Sequence, residues 1–553
     1  MTAIPPSSRR GSQVIPYAPP AWHCDHRLAI GGILLSSLIT IVLGFLGPSV
    51  VTVTLGPRDG SLLPPWYLPV DVDNPPNEWA VTIAVWVLLI IGGLSIAIAL
   101  RALAAGWRPR PRRLVALGVG LSGATALVPP LTSADVLMYA GYGRLQLIGQ
   151  NPYEITPADI YRGQFDPVMK WTERPWTDTP SVYGPINAWL QLASNALGRE
   201  NMHDIVFWMQ AFHLIGFLGA CAATIWIARG DRDRLNRAVL LTVLNPLMIW
   251  GIIATAHNEA ISVVFAVGGM MLMRRSGFGA GVGIGLAGCA KLSIGLWGLA
   301  MVWAYRREPK KLALLCLGAA IPMGLAYGLW QPKALVSVLR NGSYVAAGAW
   351  AQPVHTFLSW LLHDANAAKV VVGVLSYALL IVVAWMLSRL LPWSAVPGLP
   401  ADADPRTDPM TVAVRTALVL STAWLVTAMY TLSWYDLIAF IPLGMLAPSL
   451  LDRLFLWRNT FLSLAYVPGR VVDISPQLDV TVTRVREMVS PTVQGLVLVA
   501  LFAWFFRHRR EARQAGPASL DSAVPVETSE ERAESAEQPA IKEQRAADAG
   551  PSS

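Results

Sequence analysis

Charged residues are scarce in this chain. Asp, Glu, Lys and Arg make up only 14% of its 553 residues, while 54% are hydrophobic. Because a soluble globular protein has about a quarter of its residues charged, so low a charge content excludes that class. Apolar runs of roughly twenty residues recur along the sequence, and only helices satisfy their own backbone in lipid over such lengths. The sequence therefore predicts an all-α polytopic membrane protein.

Cysteine is also rare, and the four present do not suggest a disulfide framework. Cys24 precedes the first apolar run and the other three lie within such runs. No cluster of His, Cys and carboxylates has metal-ligand spacing, so no cofactor is predicted, although Asp135 and Glu259 could share a divalent ion. The net charge of +8 does not indicate nucleic acid as a partner, because the arginines stand in short clusters between apolar runs.

Hydropathy predicts about fourteen membrane spans when the segment 278–305 is counted as two. The spans lie near residues 28–47, 80–100, 114–131, 205–228, 238–254, 259–273, 278–305, 311–329, 369–388, 412–431, 435–451, 457–468 and 492–506. Basic clusters assign the cytoplasmic side, and they lie near residues 101–113, 229–237, 274–275, 306–311 and 507–510. This predicts a cytoplasmic N-terminal segment (1–27), a membrane domain (28–506) and a disordered cytoplasmic tail (507–553) rich in Glu, Ala, Ser and Pro.

The segment 277–305 has arginine pairs at both ends, so a single span would begin and end in the cytoplasm. We therefore predict two short helices that meet near Lys291. Five glycines from Gly277 to Gly285 would let the first helix pack closely against its neighbours. Lys291 would then lie near the outer surface, where a buried lysine needs an anionic partner. The alternative is a lysine that reaches the lipid headgroups.

Four polar groups of residues are predicted to face the outer side. The first is the long stretch 132–203, which is expected to form short interfacial helices, with Asp135 at its start after a possible cap at Ser133. The others are the turn around His257, Lys291, and the start of a helix at Trp434. An acid, a histidine, a lysine and aromatic rings together suit a sugar phosphate.

Each residue also has an ordinary structural interpretation. Tyrosine and tryptophan form interfacial belts in membrane proteins of many kinds. Asp135 and Asp436 could serve as helix caps, and His257 could be a surface histidine. The functional interpretation depends on their occurring together.

These motifs resemble a known family, the actinobacterial polyprenol-phosphomannose-dependent α-1,6-mannosyltransferases. The resemblance runs from about residue 80 to residue 450 and is carried by an ordered set of motifs. They are Asp135 to Tyr139, Gly149 to Tyr153, Tyr183-Gly184-Pro185, Asn245-Pro246, His257-Asn258-Glu259-Ala260, Lys291-Leu292 and Trp434-Tyr435.

The resemblance implies a membrane glycosyltransferase of the GT-C type, in the plasma membrane, with its active site on the extracytoplasmic side. It implies a polyprenyl-phosphate-mannose donor and a mannan or lipomannan-type glycan or glycolipid as acceptor. Two features depart from the family pattern. Many such enzymes carry the catalytic acid in the first outer loop, so Asp71 and Asp73 rival Asp135, and Asn151 stands where the family often has an acid.

The predicted mechanism is inverting transfer with Asp135 as the general base, while Lys291 and His257 bind the donor phosphate. The remaining candidates would bind sugar or acceptor, and they are Tyr139, Asn151, Tyr153, Tyr183, Asn258, Glu259, Trp434, Tyr435 and Asp436. Transfer of another sugar remains open. The rival class is a lipid-linked sugar transporter or flippase, but such proteins commonly have matching broken helices in two halves, and this sequence has one broken pair.

Overall fold

A computed structural model gives the fold, and it describes residues 21–68, 75–173, 176–340, 344–400, 402–470 and 472–514. Asp71, Asp73, most of the predicted N-terminal segment and the predicted tail from residue 515 lie outside the described residues. Two compact units divide the chain, residues 1–498 and 499–553. The described part of the second unit is helical.

The described residues are helical apart from their connections, and the only extended pairing among them is an isolated bridge between Thr52 and Leu131. The first nine helices are α1 (His26–Phe45), α2 (Glu78–Ala104), α3 (Pro111–Thr125), α4 (Asp135–Leu147), α5 (Pro157–Tyr161), α6 (Pro185–Gly198), α7 (Met202–Ala228), α8 (Arg232–Leu241) and α9 (Pro246–Met248). The next six are α10 (Glu259–Leu272), α11 (Gly277–Ala290), α12 (Gly295–Tyr305), α13 (Pro309–Met323), α14 (Pro332–Arg340) and α15 (Ala351–Leu362). The last six are α16 (Ala365–Leu390), α17 (Pro409–Thr427), α18 (Leu437–Met445), α19 (Leu450–Ala465), α20 (Pro476–Arg484) and α21 (Ser490–Gln514).

Eight helices among the described residues are long and apolar enough to cross a membrane, and three shorter apolar helices accompany them. This confirms the all-α polytopic membrane class. Every predicted span overlaps a helix, but α18 has only nine residues, well short of the roughly twenty that a bilayer core requires. The count of fourteen spans therefore stays a prediction.

The centre of the bundle is the interrupted segment Arg232–Ala254, whose apolar stretch is buried throughout. Its helix stops at Leu241 and restarts at Pro246, because Asn245 Oδ1 accepts a hydrogen bond from Leu247 N and caps the new turn. A π-helical stretch, Ile249–Ala254, then leads directly into the turn that contains His257. The Asn245-Pro246 motif thus redirects the chain just before the candidate site.

The glycine-rich helix α11 packs against its neighbours at backbone distance, as predicted. A Cβ at Gly277, Gly281 or Gly285 would lie 2.6, 2.2 or 2.6 Å from a carbonyl oxygen of α13. These glycines are spaced i, i+4, i+8, so they form one face of the helix. The chain breaks at Lys291, and a short 3-10 turn (Leu292–Ile294) begins the second helix, α12. The predicted pair of short helices is confirmed.

The long stretch 132–203 forms short helices, as predicted, namely α4, α5, a 3-10 turn (Met169–Trp171) and α6. Several of the basic segments lie together at one end of the bundle, the end opposite the stretch 132–203. Arg232 donates to the carbonyls of Arg108 and Pro109, and Arg274 donates to Asp408 and to the carbonyl of Pro397. We call this the basic end.

Candidate functional site

Asp135 is the first residue of α4, and its carboxylate does not cap the helix. The N-cap is Ala134, whose side chain makes no capping hydrogen bond. The Ser133 hydroxyl, expected to act as the cap, accepts a hydrogen bond from Asp135 N at 3.2 Å. The Asp135 carboxylate instead lies 3.4 Å from His257 Nε2, and the side chain remains 17% exposed. The carboxylate is therefore held on one side and accessible on another.

His257 is completely buried and has a partner at each ring nitrogen. Nδ1 lies 2.5 Å from Thr255 Oγ1, while Nε2 faces Ser133 Oγ at 3.3 Å as well as Asp135. The ring stacks on the indole of Trp434, with centroids 3.6 Å apart. These contacts fix the imidazole in one orientation beside the carboxylate.

The turn that carries His257 is held by backbone hydrogen bonds to neighbouring segments. Leu131 N donates to Ala254 O, and Thr132 N donates to Val51 O. Ala256 and Thr132 both have positive φ angles, 51° and 59°, which residues other than glycine rarely adopt. The chain therefore accepts backbone strain at both segments that flank the Asp135–His257 contact.

Lys291 pairs with Glu259, the first residue of α10, and its Nζ also lies 4.5 Å from the centre of the Tyr435 ring. The predicted anionic partner is thus present. Glu259 is buried, whereas the Lys291 side chain is 19% exposed. Among the described residues, Glu259 Oε2 and both amide atoms of Asn258 are buried without a hydrogen-bond partner.

Gly184 brings the stretch 132–203 against the helix break at Lys291. Its backbone N donates to Ala290 O at 3.1 Å, and Asn187 Nδ2 donates to the same oxygen at 2.9 Å. A Cβ at Gly184 would lie 2.2 Å from Cys289 O, so no larger residue fits without a shift. The Tyr183-Gly184-Pro185 motif therefore fixes the backbone that carries Lys291.

Tyr139, which is buried, and Tyr183, which is partly buried, form a wall beside the two carboxylates. Their rings meet edge to face, with centroids 4.9 Å apart. Burial raises the pKa of Tyr139, and the charges of Asp135 and Glu259 raise this pKa further. Burial likewise raises the pKa of Tyr183, with smaller contributions from Tyr139 and Asp135. Both phenols are thus neutral. The charges of Asp135 and Glu259 both raise the pKa of Tyr139, so both carboxylates lie near its ring.

Three predicted residues lie outside this cluster. Asn151 Oδ1 accepts from Tyr153 N, and the Tyr153 hydroxyl donates to Tyr183 O at 2.9 Å, so both support the loop that carries Tyr183. Asp436 is fully buried and engaged by Arg458 and by Asn459 Nδ2. It does not cap α18 with its side chain either. Its carboxylate is therefore part of the packing beneath Trp434 and Tyr435.

Two contributors were not predicted from the sequence. Thr255 lies two residues before His257 and engages its Nδ1. This short separation within one turn is a sequence signal for the contact. Tyr466, just after α19, packs edge to face on Trp434 with ring centroids 4.7 Å apart, and nothing in the local sequence indicates this. Among the described residues, no group of three or more His, Cys, Asp or Glu side chains is placed to hold a metal ion.

Comparison with known proteins gives a family for the part of the chain that carries most of this site. Residues 42–307, just under half of the chain, match the model of the alpha-(1->6)-mannopyranosyltransferase N-terminal domain. That range includes Asp135, His257, Glu259 and Lys291, and it excludes Trp434. No solved structure matches the chain, so the GT-C fold type stays a prediction.

Curated relatives agree with the family match. The chain is 27% identical over 179 residues to alpha-(1->6)-mannopyranosyltransferase B of Corynebacterium glutamicum, which covers 32% of this chain and 27% of that protein. It is 28% identical over 217 residues to an alpha-(1->6)-mannopyranosyltransferase of Mycobacterium tuberculosis, covering 38% of this chain and 34% of that protein. The matches thus span about a quarter to a third of these relatives. Residues 42–307 are therefore similar to the N-terminal domain of the alpha-(1->6)-mannopyranosyltransferases.

Proposed function

We propose that this protein is a membrane mannosyltransferase that moves mannose from a polyprenyl-phosphate-mannose donor to a hydroxyl group of a mannan or lipomannan-type acceptor. The observation that carries the proposal is the position of Asp135, whose accessible carboxylate lies beside His257 in a cluster with Lys291 and aromatic rings. The family match supports mannose as the sugar and an α-1,6 linkage as the product.

In this reaction the acceptor oxygen attacks the anomeric carbon of mannose while the bond from that carbon to the donor phosphate oxygen breaks. The phosphate leaves with the electron pair, from the face opposite the attack, so the anomeric configuration inverts. Asp135 takes the proton of the acceptor hydroxyl as the new bond forms. General-base catalysis of this kind contributes roughly 10²–10⁴-fold to a rate.

His257 positions the base. The sequence suggested it as a phosphate ligand, but both ring nitrogens already have partners in the chain and the ring is completely buried. His257 holds one oxygen of Asp135 and so orients the carboxylate, while the other oxygen stays available to accept a proton. A stacked, hydrogen-bonded imidazole is a rigid support, and rigid orientation of a catalytic group is itself a large part of catalysis.

Lys291 stabilises the charge that grows on the departing phosphate. Its ammonium group is partly exposed and lies against the Tyr435 ring, while Glu259 holds it in place. The unpaired atoms of Asn258 and Glu259 support a sugar-binding role, because a buried polar group without a partner is costly and a sugar hydroxyl would satisfy it.

We further propose that this site faces the extracytoplasmic side of the plasma membrane. The support is the gathering of arginine-rich segments at the basic end, since such segments are retained in the cytoplasm. A lipid-linked donor would then reach Asp135 from the outer leaflet.

The replacement Asp135→Asn tests the proposal. It keeps the size of the side chain and removes its basicity, so transfer should fall by roughly a hundredfold or more. The assay uses membranes, radiolabelled polyprenyl-phosphate-mannose and a short α-mannoside acceptor, with donors carrying other sugars as parallel samples.

Asp178→Asn is the matched control, because Asp178 is an exposed carboxylate in the same outer stretch, paired with Arg162. It should transfer at the wild-type rate. A folded Asp135→Asn protein with near-normal turnover would remove Asp135 as the base. Movement of the labelled lipid across vesicles without any glycosidic product would favour the flippase instead.

A further inference from the structure

A cavity of about 880 Å³ lies at the basic end of the bundle, away from Asp135. It is bounded mainly by one face of α2 and one face of α19. The α2 face includes Ile90, Leu94, Ala97 and Arg101, which recur at helical spacing. None of the residues of the candidate site lines it, so the proposed transfer reaction does not account for this cavity.

The walls of the cavity are apolar at one end and cationic at the other. Along α2 the lining runs from Ile90 to Arg101, and eleven residues of helix extend roughly 17 Å, about half of a bilayer core. On α19 it runs from Arg453 at the cationic end to Trp457 and Phe461. Polar and apolar surfaces are thus separated over the depth of one lipid leaflet.

The apolar part is open to the surface of the bundle and closed toward its interior. Ile90, Leu94 and Trp457 are 43%, 49% and 53% exposed. Deeper in the bundle, α2 and α19 meet where Gly93 faces Thr460, and a Cβ at Gly93 would lie 2.3 Å from Thr460 Oγ1. A hydrocarbon chain in the membrane could therefore lie in the groove without entering the protein core.

The cationic part has more positive than negative side chains. Five arginines and three aspartates line it. Three of these arginines form ion pairs: Arg237 with Asp452, Arg108 with Asp233, and Arg234 with Asp231 at the longer distance of 3.9 Å. Arg101 and Arg453 form no ion pair within the described chain, and Arg101 Nη1 lies 3.4 Å from His23 Nδ1.

We propose that this cavity binds one phosphate-bearing lipid of the cytoplasmic leaflet, with its headgroup at Arg101 and Arg453 and a hydrocarbon chain along α2 and α19. The guanidinium groups match a phosphate in charge and in hydrogen-bonding geometry. The apolar groove matches the chain, and the spacing between the two matches one leaflet. The lipid would hold α2 against α19 at the end of the bundle opposite the transfer site.

The test measures lipid retention by the purified full-length protein with native mass spectrometry. Dioleoyl phosphatidylglycerol is titrated, with dioleoyl phosphatidylcholine and inorganic phosphate as parallel probes. One phosphatidylglycerol should bind per chain, and R101Q/R453Q should weaken this binding by roughly tenfold or more, since each basic side chain contributes to the attraction. The variant R112Q/R113Q removes the same charge from exposed positions of α3 that do not line the cavity, and it should bind normally.

Ala97→Trp fills the groove without changing charge and should also reduce retention, which supports the role of the hydrocarbon chain. A polyprenyl phosphate that displaces phosphatidylglycerol would identify the carrier lipid as the source of the same chemistry. The proposal would be overturned if R101Q/R453Q bound phosphatidylglycerol as well as the wild type does. It would also be overturned if the wild type bound phosphatidylcholine as well as phosphatidylglycerol. Competition by inorganic phosphate at the same concentration would also overturn it, because the hydrocarbon chain of the lipid would then contribute nothing to binding.

Discussion

Each end of the bundle contains an ion pair with a buried carboxylate, and the two pairs differ in how fully their atoms are bonded. At the basic end, Arg237 donates from Nε and Nη2 to the two oxygens of Asp452 and from Nη1 to the carbonyls of Leu443 and Leu446. At the candidate site, Lys291 meets one oxygen of Glu259 and leaves the other without a partner in the described chain.

This difference separates a structural ion pair from one available to a ligand. A charge that is fully hydrogen-bonded within the chain has nothing left to offer a substrate, and removing its partner strands a buried charge. A half-bonded pair with a partly exposed lysine can exchange protein contacts for substrate contacts. The same comparison explains why Asp436, bonded through both oxygens, belongs with the structural group.

The largest expected effect is all-or-none, and it concerns the proposed placement of these two ends on opposite sides of the membrane. In a cysteine-free background, Gln164→Cys should react with a membrane-impermeant thiol reagent in intact cells. Arg406→Cys should react only after the cells are opened, because it lies in the linker bound to Arg274 at the basic end. Both positions are exposed. The reverse labelling pattern would invert the proposed orientation.

The next largest effect is on transfer. Lys291→Met removes the cation proposed to act on the donor phosphate, and activity should fall about a hundredfold, as when one electrostatic donor is removed from an active site. Lys291→Arg should retain more activity. The measurement is initial transfer rate per folded protein.

The double variant Lys291→Met/Glu259→Gln separates the two explanations of such a loss. It removes both charges and so leaves no unpaired buried carboxylate. If Lys291 only neutralises Glu259, the double variant should recover activity, and that recovery would refute the phosphate role. If Lys291 acts on the donor, activity stays low although the protein is stable.

A change at the basic end should affect stability and leave transfer by the folded fraction intact. Arg237→Gln breaks the saturated pair and leaves Asp452 buried, which should cost about 3–5 kcal/mol of unfolding free energy. Arg237→Met/Asp452→Leu removes both charges and should recover most of that loss. Thermal unfolding in detergent measures both, and an unchanged transition for Arg237→Gln would show that the pair does not hold the helices together.

The smallest effect is expected at Gly184. Gly184→Ala places a Cβ against Cys289 O, and the required shift should cost about 1–3 kcal/mol and displace Lys291 enough to lower transfer several-fold. Gly163→Ala is the control, because its nearest neighbour would be Ile160 O at 3.7 Å. Equal transfer rates for the two variants would show that this contact does not position the lysine.

Local sequence determined much of this protein because its signals are themselves local. The apolar runs located the helices, since a buried backbone in lipid has few alternatives to a helix. The arginine pairs around 277–305 predicted the break at Lys291, and the glycine spacing predicted the close packing of α11. The motifs also mark Asp135, His257 and Lys291 as candidates for one site.

Tertiary structure decided which of these candidates face one another. Asp135 and His257 are 122 positions apart and Trp434 is further still, so no periodicity relates them. Only the fold turns Asp436 toward Arg458, pairs Lys291 with Glu259 and sets Tyr466 against Trp434. The cavity at the basic end likewise exists only where α2 packs on α19. Hydropathy predicts which segments of the chain lie in lipid. Side-chain contacts between helices depend instead on how the helices pack, which the sequence pattern alone does not encode.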